Sequence, residues 1–291
     1  MRMIDKETKD KLLCAQANEI TEHLIYAKLA QSVKDPKNKE VLTKISRDEL
    51  RHCLFWKKYT RADVKPDKLK VWKYFLISKI LGITFGIKLM EKGEGGAQIT
   101  YREISKIIPD AKKIMNDEEV HEKQLISLID EERLKYVSSV VLGLNDALVE
   151  FTGALAGFSF ALNNARLVGV TGLITGIAAS LSMAASEYLS TKSEENTKKP
   201  LKAAVYTGIT YFFTVLLLVL PFLLWDKVYG SLAITLAAAI FLIYIFTYYI
   251  SVAKDLSFKT RFFEMAAISL GVATVSFGIG VLVKIFFNIQ A

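Results

Sequence analysis

Residues 138–157 read SSVVLGLNDALVEFTGALAG, an apolar stretch that contains Asn145, Asp146 and Glu150. A helix needs about 20 predominantly apolar residues to cross a hydrocarbon layer about 30 Å thick, and this stretch is long enough. Ionisable side chains inside a membrane span are costly, so each of them is a candidate functional group. The sequence therefore predicts a membrane helix with functional carboxylates.

Four more apolar stretches follow, each close to the length of one membrane crossing. Basic residues are concentrated before the first stretch, between the second and third, and between the fourth and fifth. By the positive-inside rule, this pattern predicts a cytoplasmic N-terminal part and a C-terminus outside. The five predicted spans are 137–162, 167–190, 203–224, 230–252 and 263–287.

The charged residues divide the chain into two parts. Residues 1–135 hold 28 Lys and Arg and 22 Asp and Glu, whereas residues 136–291 hold only 10 and 8. Both signs are interspersed in the first part, which is typical of a solvated surface and not of a nucleic-acid site. We therefore expect a soluble domain over 1–132, a membrane domain over 133–291, and no nucleic-acid partner.

The soluble part is predicted to be all-α. Pro36 and Pro109 stand where a helix would begin, and proline is favoured in the first helical turn. No alternation of β-branched and polar residues indicates a sheet. Four helices of this length form a bundle. The predicted helices are 5–33, 37–60, 67–108 and 109–130.

Two of the three histidines follow a glutamate by three residues, as Glu49 with His52 and Glu118 with His121. This spacing places both side chains on one helix face, where both can contact one cation. Each of these helices is preceded by one with a Glu-x-x-Glu pair. The pairs are Glu19 with Glu22 and Glu91 with Glu94.

This duplicated pattern is the arrangement that holds two irons inside a four-helix bundle. The alternative, that the glutamates only form solvated helix faces, explains neither the duplication nor the histidines. His23 lies beside Glu22 but has no duplicated counterpart, so we do not expect it to be a ligand.

These motifs, with KLMEKGEGGAQITY at 88–101, resemble the ferritin-like, rubrerythrin-type di-iron family over residues 5–130. The resemblance implies a bundle that binds two irons as Fe²⁺ or Fe³⁺. The cysteine pairs of a rubredoxin module are missing, so no peroxidase role is expected. The implied ligands are Glu19, Glu49, His52, Glu91, Glu94, Glu118 and His121, with Glu22 as an addition.

The second span contains Met183 and Glu187 in SLSMAASEYLS. At 1.5 Å per residue from the cytoplasmic ends, Glu187 is shallowest, Met183 and Asp146 lie deeper, and Glu150 is deepest. A carboxylate beside a thioether suits a borderline transition metal better than Ca²⁺ or Mg²⁺. These side chains are therefore predicted to line a metal pathway.

The segments GLNDALVEFTGALAG and SLSMAASEYLS resemble the vacuolar iron transporter family, over about 133–287. The resemblance implies export of Fe²⁺ and Mn²⁺ from the cytosol by proton antiport in a five-helix homodimer. It implies a pathway through Asp146 and Met183, to which we add Glu150 and Glu187. Plant-type members have a long glutamate-rich insertion between the second and third spans, where this chain has only residues 191–202.

Small residues recur at four-residue spacing in the first two spans, as Gly153 and Gly157 and as Gly172 and Gly176. Such residues allow close approach of helices, either within one monomer or across a dimer.

The first hypothesis is thus a metal exporter whose cytoplasmic di-iron domain collects or senses iron. The alternatives are a membrane-anchored ferroxidase or iron-storage protein without transport, and a metal-gated sensor. No catalytic residue is assigned, although ferroxidase activity of the first domain is compatible with its ligands. The Lys- and Ile-rich composition, with no targeting signal, favours a prokaryotic plasma membrane.

Overall fold

The computed structural model describes residues 6–93, 104–105, 107–127, 136–194 and 199–286. Among these residues the elements are all helices and none is a strand, so the predicted all-α class is confirmed. The chain divides into two compact units, Met1–Glu131 and Glu132–Ala291.

The first unit begins with two long helices, α1 (Lys6–Ser32) and α2 (Pro36–Thr60). Asp35 caps α2: its side chain accepts a hydrogen bond from the Asn38 backbone amide at 2.8 Å, as preferred capping residues do. The short connection lets the two helices pack side by side. They bury Ile25, Leu29, Leu42 and Ile45 in one cluster and Leu12 and Trp56 in another.

The predicted third helix, 67–108, is wrong as one continuous element. The structure has α3 (Lys68–Leu81) and α4 (Ile83–Gly93), separated at Gly82. Gly82 has φ 105°, a left-handed conformation that only glycine adopts without strain, and this turn redirects the chain. The two helices then cross closely, since a Cβ on Gly86 would lie 1.9 Å from Ser78 Oγ.

The last described helix of this unit is α5 (Ala111–Ser127). It follows a turn at Pro109 and Asp110, slightly later than the predicted start. Ala111 and Ile114 pack against the cluster around Trp56. The unit therefore presents faces of α1, α2 and α5 toward a common interior.

The second unit contains five helices long and apolar enough to cross a membrane, so the predicted number of spans is confirmed. Five such helices support an integral membrane protein. The spans are α6 (Val137–Leu162), α7 (Ala165–Ser193), α8 (Pro200–Leu224), α9 (Val228–Ala253) and α10 (Phe258–Phe286).

Helix α6 is not regular along its length, because residues Ala147–Phe151 form a π-helical turn. Ser269 of α10 donates a buried hydrogen bond of 2.7 Å to the backbone oxygen of Leu148 inside this turn. Single π turns are rare and frequently occur at functional sites. Nothing in the hydropathy pattern indicated this turn.

The small residues of the first two spans lie at helix contacts within the unit. A Cβ on Gly280 of α10 would lie 2.4 Å from the Gly157 backbone oxygen, so α6 and α10 approach closely there. Gly172 and Gly176 face side chains of α6 and α8. The sequence pattern allowed close helix approach either within one monomer or across a dimer. In the described residues, these glycines lie at contacts within one chain.

Candidate metal centre and transport pathway

Four of the predicted ligands converge between α1, α2 and α5. One donor atom from each of Glu19, Glu49, His52 and Glu118 lies within 4.8 Å of the other three. Glu19 comes from α1, Glu49 and His52 come from α2, and Glu118 comes from α5. The sequence pattern predicted these residues as ligands, but it did not show which of the predicted ligands lie close together.

Glu49 and Glu118 lie between the two histidines. One oxygen of Glu49 is 3.3 Å from His52 Nδ1 and the other is 3.2 Å from His121 Nδ1. The oxygens of Glu118 are 3.1 Å from His52 Nδ1 and 4.0 Å from His121 Nδ1. Each carboxylate thus directs one oxygen toward each histidine, which is the geometry of a bridging ligand.

Glu19 completes the cluster on the His52 side. Its Oε2 is 3.4 Å from His52 Nδ1, while its Oε1 accepts a hydrogen bond of 3.0 Å from the buried Trp56 indole. The Trp56 contact fixes the orientation of the carboxylate. Two ligand atoms about 2.1 Å from one metal at a right angle are about 3 Å apart, so these spacings fit a common cation.

The outer nitrogen of each histidine contacts an aspartate that the sequence analysis did not select. His52 Nε2 is 3.2 Å from Asp117 Oδ2, and His121 Nε2 is 3.1 Å from Asp48 Oδ2. Each aspartate directly precedes the bridging glutamate of its own helix but holds the histidine of the other helix. The repeated Asp-Glu-x-x-His spacing was the available signal.

Arg51 joins the two aspartates. Its Nη2 lies 2.9 Å from Asp48 Oδ1 and 3.1 Å from Asp117 Oδ2. The histidines are therefore connected on the inside by glutamates and on the outside by an Asp–Arg–Asp chain.

The orientation of the histidine and carboxylate atoms in this cluster fits a metal ion. An aspartate carboxylate accepts hydrogen bonds, so Nε2 of each histidine donates to its aspartate and Nδ1 is the nitrogen directed inward, where it can bind a metal once its proton is lost. Among the described residues, His52 Nδ1, His121 Nδ1 and Glu49 Oε2 are buried without a hydrogen bond. Lone pairs that face carboxylate oxygens require a proton or a metal cation between them.

Burial and the short distances between these side chains also shift the pKa values of Glu19 and His52. Burial, together with the Glu49 charge, raises the pKa of Glu19 to about 7, against lowering contacts from His52. Burial lowers the pKa of His52, but the close carboxylates of Glu118, Glu19 and Glu49 outweigh it and raise that pKa overall. The metal-free cluster therefore retains protons near neutral pH, and a metal ion would displace them.

The remaining predicted ligands of this unit are placed less completely. Glu22 is half-buried one turn beyond Glu19 on α1 and is not in the four-residue group. Glu91 lies on α4, but its side chain is outside the described residues, as is all of Glu94. His23 Nδ1 lies 2.7 Å from the Ser46 backbone oxygen, away from the group.

In the membrane unit, Asp146 directly precedes the π turn of α6, and Glu150 is the fourth residue of that turn. Asp146 is half-buried and Glu150 is exposed within the single chain. The buried Tyr211 of α8 donates a hydrogen bond of 3.4 Å to Glu150 Oε2. Tyr211 was not identified from the sequence, since a tyrosine in an apolar span has no distinctive pattern.

Glu187 of α7 is buried and accepts a hydrogen bond of 2.6 Å from Ser139 Oγ of α6. Thr207 of α8 donates to the Ser139 backbone oxygen at 2.9 Å, so three helices meet at this polar contact. Met183 is partly buried against the apolar core of the unit. Glu187 and Ser139 lie nearer the N-terminal end of α6 than Asp146 does.

The sequence profile VIT1, described as the VIT family, matches residues 137–199. The matched segment covers α6 and α7, which contain Asp146, Glu150, Met183 and Glu187. No curated protein and no solved structure matches the chain significantly. The match, with five membrane-capable helices, indicates a membrane transporter of metal ions such as iron or manganese.

Proposed function

We propose that this chain exports Fe²⁺, with Mn²⁺ as a second substrate, from the cytosol by proton antiport, and that its first unit is a di-iron domain that collects or senses iron. The observation that supports this most strongly is the group of buried Glu19, Glu49 and His52 with partly buried Glu118, in the same chain as a segment that matches the VIT family. A metal-binding unit and a metal-transporting unit then act on one ion.

In the proposed di-iron domain, Glu49 and Glu118 would each contact both metals. Glu19 and His52 would hold one metal with them, and His121 would hold the other. Glu91 and Glu94 are proposed for the second site from the sequence repeat, and Glu22 as an additional ligand near the first. Carboxylates with imidazole suit iron, and the arrangement resembles the ferritin-like bundles noted above.

The protein supplies the oriented donors and the protons. Asp48 and Asp117 keep each histidine with Nδ1 inward. Trp56 holds Glu19. Bound iron supplies redox chemistry, so oxidation of Fe²⁺ at this site is an activity that the domain permits.

In the proposed pathway, Glu187 receives the ion first, Met183 and Asp146 bind it within the membrane, and Glu150 passes it on. A carboxylate released from the metal takes up a proton, which couples the two movements. By the positive-inside rule, the basic loops support a cytoplasmic first unit and a C-terminus outside. We further propose that two chains form a homodimer in a prokaryotic plasma membrane.

The test is Fe²⁺ uptake into proteoliposomes that contain the purified full chain and an internal metal-sensitive dye. An acidic interior should accelerate uptake, because protons leave as metal enters. Asp146→Asn should abolish uptake and leave the iron content of the first unit unchanged. The matched control is Asp226→Asn, because Asp226 is exposed, lies between two spans and has its carboxylate 3.8 Å from exposed Arg166.

Uptake that ignores the pH gradient would contradict proton antiport, and wild-type uptake by Asp146→Asn would contradict the role of that residue. Oxidation of Fe²⁺ with no uptake by the wild type would favour the membrane-anchored ferroxidase. The same preparation with Mn²⁺ measures the preference between metals.

A further inference from the structure

Helix α3 has an apolar surface that is exposed among the residues that the structure describes. Its inner face buries Val71 and Tyr74. On the outer face, four apolar side chains are exposed at helical spacing, from 47% for one leucine to 84% for another. These residues, the α3 stripe, are Leu69, Trp72, Leu76 and Ile80.

The α3 stripe lies in a strongly basic helix. The sequence KLKVWKYFLISKIL contains four lysines and no acidic residue. Those lysines, Lys68, Lys70, Lys73 and Lys79, are all exposed. Lys28 of α1 adds a positive charge 4.3 Å from the Trp72 ring. The same surface is thus both apolar and cationic.

This combination is the signature of a helix that lies in the plane of a membrane surface. Such helices place Trp and Leu at the boundary between headgroups and acyl chains, while lysines contact anionic phosphates. Lysine side chains also extend their charged ends toward headgroups and leave their methylene chains on apolar surface. Protein–protein interfaces, in contrast, are depleted in lysine.

The chain itself supplies the membrane. Its five spans hold the first unit on a tether beside a bilayer, so the local concentration of lipid surface is high without any added affinity. A weak surface helix is then sufficient for binding. At 1.5 Å per residue, the 14 residues of α3 extend about 21 Å, enough to contact several headgroups.

We propose that α3 binds the surface of the chain's own bilayer, with the α3 stripe inserted among the headgroups and its lysines paired with anionic phospholipids. This surface is separate from the metal-binding residues, and the proposal stands whether or not the chain transports iron.

The experiment uses Trp72 as the reporter in the full chain reconstituted into nanodiscs. Trp225→Phe removes the tryptophan of the membrane unit, and Trp56 is fully buried. Lipids brominated on their acyl chains quench tryptophans that reach the headgroup boundary. We expect loss of Trp72 fluorescence in brominated phosphatidylglycerol, recovery in high salt, and little quenching in brominated phosphatidylcholine.

Two variants in the Trp225→Phe background make the result specific. Replacing Lys68, Lys70 and Lys73 together by Glu should abolish the quenching. Replacing the exposed α2 lysines Lys37, Lys39 and Lys44 together by Glu changes the net charge equally and should leave it unchanged. A further Trp72→Phe change gives the residual signal of Trp56.

Several results would overturn the proposal. Absence of quenching in both lipids would mean that α3 does not reach the bilayer. Equal, salt-independent quenching in both would remove the role of anionic lipid. A Trp72 blue shift in detergent that disappears on dilution would assign the α3 stripe to contact between two copies of the chain.

Discussion

The polar residues of the first unit and those of the membrane unit are arranged in opposite ways. In the first unit, four ligands from three helices lie within 4.8 Å and are held from outside by Asp48, Asp117 and Trp56. In the membrane unit, Asp146 and Glu150 are neighbours one turn apart on α6, whereas Glu187 of α7 lies separately, against Ser139 near the N-terminal end of α6. A compact, fully oriented cluster favours retention of an ion, whereas separated groups favour its passage.

The largest expected effect concerns the retained ions. Glu49→Ala with Glu118→Ala should reduce the bound iron of the first unit from two ions to none, because each carboxylate faces both histidines. Elemental analysis of the detergent-purified chain, in an Asp146→Asn background that weakens pathway binding, measures this. Glu7→Ala with Glu40→Ala, two exposed glutamates, is the control, and unchanged stoichiometry in the test variant would refute the di-iron domain.

A smaller effect should separate the two sites within the cluster. His52→Ala should weaken the site that includes Glu19 more than its neighbour, so two-step iron titrations should lose one step. Asp117→Ala removes the acceptor of His52 Nε2, and loss of such outer contacts typically costs 10- to 100-fold in metal affinity. Equal weakening of both sites by His52→Ala would mean that the metals do not occupy distinct positions.

The metal-free cluster should make stability depend on pH. Glu19 has a pKa of about 7 in the fold, above its ordinary value of 4.5, so the folded chain binds more protons than the unfolded chain between these values. Stability is therefore lost as pH rises from about 5 to 7, by up to roughly 3 kcal/mol at 1.36 kcal/mol per pH unit. The raised pKa values of His52 and His121 act in the same direction above pH 6.5.

Thermal unfolding of the full chain in chelator, followed by tryptophan fluorescence, tests this at pH 5 and pH 8. Glu19→Gln should show a smaller decrease in Tm between these pH values than the wild type, whereas exposed Glu7→Gln should not differ from it. An identical pH dependence in Glu19→Gln would exclude Glu19 as the source.

The smallest expected effect lies in the membrane unit. Ser269→Ala removes the buried hydrogen bond to the Leu148 oxygen, which is typically worth about 1 kcal/mol, and should lower Fe²⁺ uptake a few-fold by loosening the π turn. Thr274→Ala on the same helix removes only an exposed bond to Leu270 and serves as the control. A rate equal to that of the control would show that the π turn is not needed for transport.

The sequence by itself determined the features that depend on periodicity and composition. Stretches of about 20 apolar residues require membrane helices, so the number of spans followed directly. The spacing of Glu49 with His52 and of Glu118 with His121 predicted shared helix faces, because i and i+3 positions are neighbours on any α-helix. That these side chains hold iron stays a prediction.

Only the tertiary structure decided the contacts between elements. The break at Gly82 turned one predicted helix into two and exposed the α3 stripe. Asp48 was placed on a histidine 73 residues away, and Ser269 on a π turn 121 residues away. Local sequence patterns describe which face of a helix a residue occupies, whereas the partner across that face depends on how distant helices pack.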